Sequence, residues 1–166
     1  MLTPSERFWR NRMFARIRHR GSRLRRSSSV LTRMHATLIR CSGGRIQRSF
    51  LFAGGMPILV LSTVGRKTGK LRSTPLAYVM HGPAFAVMAS NAGSDQVPAW
   101  LLNLQSQPTA QVFVGRTRYI VTSRAAHAEE EAQIWSNVAG LNPGFDEYRH
   151  LTAREIPVVL LEPQPR

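Results

Sequence analysis

Residues 65–72, Gly65-Arg66-Lys67-Thr68-Gly69-Lys70-Leu71-Arg72, place four cations in a turn that contains two glycines. The runs on either side, PILVLSTV (57–64) and STPLAYVM (73–80), are largely apolar and β-branched. Two such runs joined by a short glycine-containing turn indicate a β-hairpin. The stretch therefore predicts two paired strands with a strongly cationic turn between them.

The charge of this turn predicts an anionic ligand. Glycine amides permit a close approach, and guanidinium and ammonium groups bind a phosphate or several carboxylates well. Surface hairpins also carry Lys and Arg simply to prevent edge-to-edge aggregation, and on this segment alone that alternative stays open. A P-loop NTPase is not expected, because three residues rather than four separate Gly65 from Gly69 and because Leu71 follows Lys70.

The rest of the chain predicts an antiparallel β-protein. Strands are predicted over residues 57–64, 72–80, 84–90, 110–114, 117–122 and 156–161. Helices are predicted over residues 32–39, 98–105, 127–139 and 145–151. Six strands joined mostly by tight turns predict an α+β, mainly β fold: a six-stranded antiparallel barrel with inserted helices. We expect a basic arm over residues 1–55 and the barrel domain over residues 56–163.

The net charge of +14 comes almost entirely from the N-terminal third. Through Met56 the chain contains thirteen arginines and one acid, Glu6, so the remaining residues carry only +2. Apolar residues recur between the arginines at near-helical spacing, namely Phe8, Trp9, Met13 and Ile17. A basic helix with such a stripe is suited to an anionic membrane surface, and nucleic acid is the competing partner.

Three simpler interpretations of this arm stay open. The Arg- and Ser-rich composition of residues 21–29 is typical of a disordered segment. The same composition is also typical of organellar transit peptides. Initiation at Met34 would remove ten arginines and one glutamate from the chain.

Several kinds of chemistry find no support in the sequence. The five histidines lack metal-ligand spacing, and the lone Cys41 can form neither an intrachain disulfide nor a cysteine-only metal cluster. No G-x-S-x-G elbow is present, and Asp95 is the only acid between Arg48 and His127, which argues against a pair of catalytic carboxylates. The single cysteine favours the reducing cytoplasm. What remains are residues suited to binding a ligand, and a bound redox cofactor would supply the chemistry.

Four segments together carry a family resemblance: LSTVGRKTGKLRSTPL (61–76), ASNAG (89–93), PAWLLNL (98–104) and IPVVLLEP (156–163). They resemble the deazaflavin-dependent nitroreductase family, actinobacterial enzymes that use reduced coenzyme F420 and act as quinone reductases and nitroreductases. The resemblance implies a split β-barrel related to FMN-binding oxidoreductases, in agreement with the strands predicted from the residues. The arm lies mostly outside the resemblance.

The resemblance also implies roles for particular residues. The residues expected to hold the phosphate and glutamate tail of the cofactor are Arg66, Lys67, Thr68 and Arg72. Those expected to line the ring or pass beneath it are Pro75, Ala89, Ser90 and Asn91, and the helix expected to pack on the cofactor carries Trp100 and Asn103. Ser90 and Tyr148 are the two candidate catalytic residues, each able to hydrogen-bond an acceptor oxygen.

Some positions depart from the family pattern. Asn91 replaces a lysine, Ala99 replaces a methionine, and Ala77, Asn142 and Phe145 replace tyrosines of the nitroimidazole-reducing member. The resemblance thus implies hydride transfer from reduced F420 to a quinone-like or other electron-poor acceptor such as menaquinone, without activation of nitroimidazole drugs. An FMN-dependent oxidoreductase on the same fold and a nucleic-acid-binding module are the alternatives. We expect a cytoplasmic protein that can also lie at the inner face of the cell membrane, and we expect that it can form a homodimer.

Overall fold

The structure is a computed structural model that describes residues 55–141 and 152–165. Its strands are β1 (Ile58–Val64), β2 (Leu71–Ala77), β3 (Val79–His81), β4 (Ala84–Met88), β5 (Thr109–Val114), β6 (Thr117–Ala125) and β7 (Val158–Pro163). Its helices are α1 (Ala99–Ser106), α2 (Ala128–Leu141) and a 3-10 turn (Asn91–Gly93). Nearly all of the predicted arm, the helices predicted over 32–39 and 145–151, and Tyr148 lie outside the described residues.

The strands form one antiparallel sheet in the order β2-β1-β5-β6-β7-β4-β3. The predicted number of six strands is wrong, because the strand predicted over 72–80 breaks at Tyr78 into β2 and β3. The two halves have different partners, since β2 pairs with β1 and β3 pairs with β4. At the break, the N–H of Tyr78 donates to the carbonyl of Pro57 at 3.1 Å.

This break explains the curvature of the sheet. A single residue, Tyr78, joins the strands at the two opposite edges, so the sheet must curl until those edges approach each other. Cα atoms of β2 and β4 accordingly come within 8 Å of each other. Curling an antiparallel sheet in this way shortens the exposed edges. The result is a half-barrel, and the mainly β class predicted from the sequence is confirmed.

The sheet is covered on both faces, as strand β4 illustrates. Its residues Ala84, Ala86 and Met88 join a core that includes residues of α2, which we call the α2-side core. The alternate residues, Phe85 and Val87, join a core that includes residues of α1, the α1-side core. Each fully buried large apolar side chain in these cores stabilises the fold by roughly 1.5–3 kcal/mol. The two cores fix both helices against the sheet.

Arg124 on β6 ties the start of α2 to the sheet. Its Nη1 and Nη2 donate to the Glu130 carboxylate at 2.7 and 2.8 Å, and its Nε donates to Glu162 at 2.7 Å. Glu130 also accepts a hydrogen bond from the N–H of His127 at 2.8 Å. The hydrogen bonds from the Arg124 guanidinium lower the pKa of Glu130 to about 2.

We expect Glu130→Gln to lower the free energy of unfolding at pH 7 by about 1 kcal/mol, because it removes a bidentate ion pair that solvent partly screens. The folded pKa of about 2 lies below the ordinary value of 4.5. The contribution of Glu130 is therefore complete above pH 4.5 and is lost as the pH falls toward 2. Urea unfolding at several pH values measures it. Glu129→Gln, in the same turn, is the control, and an effect of Glu130→Gln that does not change with pH would contradict the assignment.

Candidate functional site

The turn between β1 and β2 is fixed by its own backbone. The N–H of Gly65 donates to the carbonyl of Lys70 at 2.9 Å, and the N–H groups of Thr68 and Gly69 donate to the carbonyl of Gly65 at 3.0 and 2.7 Å. Gly69 has a φ of +66°, which glycine adopts without strain. A Cβ on Gly65 would lie 3.0 Å from the Lys70 carbonyl oxygen. Gly69 thus supplies the positive φ without strain, and Gly65 permits the close approach of the Lys70 carbonyl.

Four cations surround this turn, which we call the cationic turn: Arg66, Lys67, Lys70 and Arg72. All four are exposed. The ion pairs found between described residues join Arg124 or His81 to acids elsewhere, so none of them neutralises the turn. Like charges held in one loop repel each other, and a bound anion relieves that repulsion. The geometry thus suits the anionic ligand that the sequence predicts.

Asn103 anchors the cationic turn to α1. Its carboxamide is buried, its Nδ2 donates to Thr63 Oγ1 at 3.0 Å, and its Oδ1 accepts from the N–H of Arg66 at 3.2 Å. The sequence predicts that Asn103 lies on a helix against the cofactor. In the structure both ends of its carboxamide bind the protein, which ties the turn to α1; the contact with the cofactor stays a prediction.

A second turn follows β4 at residues 89–93. Ser90 has φ −69° and ψ −31°, whereas Asn91 and Ala92 have left-handed φ values of 49° and 51°. For Ala92 this conformation costs roughly 1–2 kcal/mol. The Asn91 side chain donates to the carbonyl of Gln96 at 2.9 Å, which closes the loop. We call residues 89–93 the Ser90 turn.

Ser90 itself is buried, with 8% of its surface exposed. Neither its hydroxyl nor its N–H makes a hydrogen bond to any other residue of the described ranges. A buried polar group without a partner costs about 1–3 kcal/mol. Such a group fits a site in which a bound ligand supplies the missing partner.

The curled sheet places β2, which follows the cationic turn, beside β4, which leads into the Ser90 turn. Val79 on β3 opposes Ala86 on β4. When this antiparallel register is continued by four residues, back from Val79 along the chain and forward from Ala86, Pro75 comes opposite Ser90. The two segments do not form a continuous ladder there, because the chain breaks at Tyr78. We call the space between residues 72–75 of β2 and the Ser90 turn the cleft.

Other predicted site residues lie in the core beneath the Ser90 turn or within strand β2. Ala89 and Trp100 are 0% and 6% exposed and belong to the α1-side core. Pro75 is half-buried and pairs with Val60. The second candidate catalytic residue, Tyr148, lies outside the described residues and stays a prediction.

A cavity of about 560 Å³ lies beyond the far end of β2 from the cationic turn. It borders the strand break and the end of α2, where Tyr78, Met80 and Leu141 contribute to its lining. Met80 and Leu141 are exposed large apolar side chains. The cavity begins three residues beyond Pro75, or roughly 10 Å along an extended chain.

The sequence interpretation missed Arg154, which binds backbone carbonyls of the Ser90 turn. Its Nη2 donates to the carbonyls of Ala89 and Ser90 at 2.7 and 2.8 Å. An arginine in a C-terminal connection gives no sign in the sequence of a contact more than sixty residues away. The only available signal was its position just before the IPVVLLEP segment.

The chain matches the family model for F420H(2)-dependent quinone reductase over residues 31–163. It belongs to that family. An F420H(2)-dependent quinone reductase of Mycobacterium tuberculosis (strain ATCC 25618 / H37Rv) is 35% identical over 134 residues, which cover 79% of this chain and 89% of the relative. The family recognised from the four sequence segments is therefore confirmed, and with it an oxidoreductase class that uses coenzyme F420.

Two of the solved structures that resemble this member of the quinone reductase family illustrate the likeness. One is an F420-H2 dependent reductase (FDR-A), 34% identical, with a TM-score of 0.58 over 64% of this chain and 94% of that one. The other, described as a domain-swapped dimer, is 29% identical, with a TM-score of 0.59 over 82% of this chain and all of that one. The curled half-barrel is thus similar to the FMN-binding split-barrel-like fold, as the resemblance implied.

The residues present fit the cofactor that the family name implies. Coenzyme F420 carries a polyanionic tail, and the cationic turn offers exposed charges that no described acid neutralises. Its polar ring needs hydrogen-bond partners, and the buried Ser90 lacks one among the described residues. Within residues 55–141 and 152–165, no group of three or more potential ligands could hold a metal ion, and no helix is long and apolar enough to cross a membrane.

Proposed function

We propose that this protein transfers a hydride from reduced coenzyme F420 to a quinone. The observation that carries the proposal is a cleft with the exposed cationic turn at one end and, beside it, the buried Ser90, whose hydroxyl and N–H have no partner among the described residues, in a chain of the F420H(2)-dependent quinone reductase family. When bound, the reduced deazaflavin supplies the hydride. The protein supplies binding, orientation and electrostatics.

The cationic turn holds the anionic tail. Arg66, Lys67 and Arg72 donate charge-assisted hydrogen bonds to phosphate and carboxylate oxygens, each contributing about 1.5–3 kcal/mol before solvent screening. Thr68 Oγ1 accepts a hydrogen bond from the N–H of Lys70 at 3.4 Å, which leaves its proton free to donate to the tail. Asn103 keeps the turn in place through the N–H of Arg66.

The Ser90 turn and Pro75 position the ring. The half-buried Pro75 provides apolar surface on one side of the cleft, Ala89 supports the Ser90 turn from the α1-side core, and Asn91 closes that turn through its side chain. The Ser90 hydroxyl donates a hydrogen bond to the acceptor oxygen as negative charge develops there. Holding donor and acceptor in line lowers the barrier by several kcal/mol.

The acceptor enters from the cavity at the far end of β2. The exposed apolar side chains of Met80 and Leu141 suit the flat apolar ring of a quinone. Tyr148, which follows Leu141 closely in the chain, is proposed to complete this acceptor site.

The test mixes purified full-length protein with reduced F420 and menadione and follows the return of the visible absorbance of oxidised F420. We expect turnover that depends on the protein, and no comparable turnover with reduced FMN. FMN retained through purification, with activity on reduced FMN alone, would favour an FMN enzyme instead. Tight, salt-sensitive DNA binding without cofactor binding would favour the nucleic-acid module led by the arm.

Two finer proposals accompany this function. The basic arm, with Phe8 and Trp9, is proposed to bind an anionic membrane surface where a lipophilic quinone such as menaquinone resides. Sedimentation with anionic vesicles, comparing full-length protein with a chain that starts at Met34, tests this. A homodimer is proposed on the likeness to the domain-swapped dimer, and analytical ultracentrifugation tests it.

A further inference from the structure

Arg154 makes an unusually complete set of contacts with backbone carbonyls. Its Nη2 donates to the carbonyls of Ala89 and Ser90 at 2.7 and 2.8 Å, and its Nε donates to the carbonyl of Ser94 at 2.9 Å. Its Nη1 donates to the carbonyl of Glu155 at 3.1 Å. All three guanidinium nitrogens are therefore engaged, and three of the four acceptors lie in the Ser90 turn or directly after it.

The segment that carries Arg154 is itself locked to the same loop. Asp95 Oδ1 accepts hydrogen bonds from Thr152 Oγ1 at 2.9 Å and from the N–H of Ala153 at 3.4 Å. Thr152 Oγ1 in turn accepts from the N–H of Arg154 at 3.3 Å. Burial lowers the pKa of Arg154, which the Asp95 carboxylate opposes, so the guanidinium stays charged at neutral pH.

The carbonyl contacts determine where two N–H groups point. In a trans peptide the C=O and N–H lie in one plane and point in opposite directions. Because Arg154 binds the carbonyls of Ala89 and Ser90, the N–H groups of Ser90 and Asn91, which share those peptides, point away from it. Neither N–H has an acceptor among the described residues. Ser90 has right-handed helical backbone angles, and Asn91 has a left-handed φ of 49°. When a right-handed residue is followed by a left-handed one, successive N–H groups converge on an anion or a carbonyl oxygen.

We propose that Arg154 is a positioning residue that presents the N–H groups of Ser90 and Asn91 as a donor pair to the oxygen-bearing pyrimidine edge of the deazaflavin ring. This inference rests on the proposed function, because it assumes that the ring lies over the Ser90 turn. The guanidinium also polarises the two peptide groups, which strengthens their N–H donors. Arg154 acts on the ring end of the cofactor, whereas the cationic turn acts on its tail.

The test measures dissociation constants by fluorescence titration for two ligands: coenzyme F420 and the ribityl deazaflavin that lacks phosphate and glutamates. For Arg154→Met we expect both constants to rise by a similar factor of roughly ten, because the ring contacts weaken while the tail contacts are kept. Arg154→Lys, which keeps the charge but cannot reach all the carbonyls, is expected to lie between wild type and Arg154→Met.

Arg124→Met is the matched control. Arg124 is also partly buried and uses all three guanidinium nitrogens as donors, but its acceptors are Glu130 at the start of α2, Glu162 on β7 and the carbonyl of Ala125 on β6. We expect it to lower the melting temperature while both dissociation constants stay at the wild-type level. If Arg154 variants have a lowered melting temperature but wild-type dissociation constants for both ligands, the inference is overturned and the proposed function is left intact. Wild-type protein that binds neither ligand would overturn both.

A second pair of variants addresses the N–H directly, without touching Arg154. The Ser90 φ of −69° matches that of proline, so Ser90→Pro removes the N–H while keeping the local backbone angle. Ser90→Ala removes the hydroxyl and keeps the N–H. We expect Ser90→Pro to bind the tail-less deazaflavin roughly three- to tenfold more weakly than Ser90→Ala. Equal affinities of the two variants would overturn the inference even if Arg154→Met fails to fold.

Discussion

Replacing Lys67 and Arg72 together by alanine is expected to raise the dissociation constant of coenzyme F420 by about 100-fold. Each charge-assisted hydrogen bond to the tail is worth about 1.5–3 kcal/mol. Because both side chains are exposed, solvent screens these bonds, and the contribution of each lies near the lower end of that range or below it. The KM for the quinone should change little, because the proposed acceptor site lies at the far end of β2 from the cationic turn. Calorimetric titration with F420 and steady-state kinetics with menadione measure the two effects separately.

The control for this pair removes two charges elsewhere. Arg116 and Arg118 are exposed near the turn between β5 and β6. Because Phe113 opposes Val60 and Gln111 opposes Ser62, that turn lies at the opposite end of β1 from the cationic turn. Arg116→Ala with Arg118→Ala should therefore leave F420 affinity nearly unchanged. Equal losses from both pairs would indicate a general charge effect and would refute a tail site at the cationic turn.

Replacing Asn103 by leucine is expected to lower the free energy of unfolding by about 2 kcal/mol and to weaken F420 binding as well. The change leaves two groups without their partner: the hydroxyl of Thr63, a residue that is 1% exposed, and the N–H of Arg66. A buried polar group that loses its partner costs about 1–3 kcal/mol. Losing the Arg66 contact also releases the cationic turn from α1. Urea unfolding and F420 titration on the same variant measure both effects.

A double-mutant cycle separates the two hydrogen bonds of Asn103. Thr63→Val alone leaves Asn103 Nδ2 unpaired, whereas Thr63→Val with Asn103→Leu removes both polar partners. We expect the double variant to be more stable than the sum of the single effects predicts, by about 1 kcal/mol. F420 affinity should stay reduced in every variant that lacks Asn103. Strict additivity in stability would show that the buried hydrogen bond does not couple the two residues.

The sequence by itself determined the local parts of this protein. The hairpin around residues 65–72, the two-residue turn at Gly115 and the helices that begin near Pro98 and His127 depend on neighbouring residues, and their glycine, proline and apolar patterns are visible in the chain. The family was also recognisable, because its motifs are contiguous. Roles within the site followed from that likeness and not from composition, and they await the binding experiments.

Only the tertiary structure decided how these parts meet. Residues 72–80 have the pattern of one continuous strand, and the break at Tyr78 exists because the two halves pair with different neighbours in a sheet that must curl. The hydrogen bonds of Asn103 and Arg154 likewise span about forty to sixty-five residues. A sequence pattern records the preferences of neighbouring residues. It does not record which distant carbonyl or amide will be brought within 3 Å, because that depends on the closure of the whole sheet.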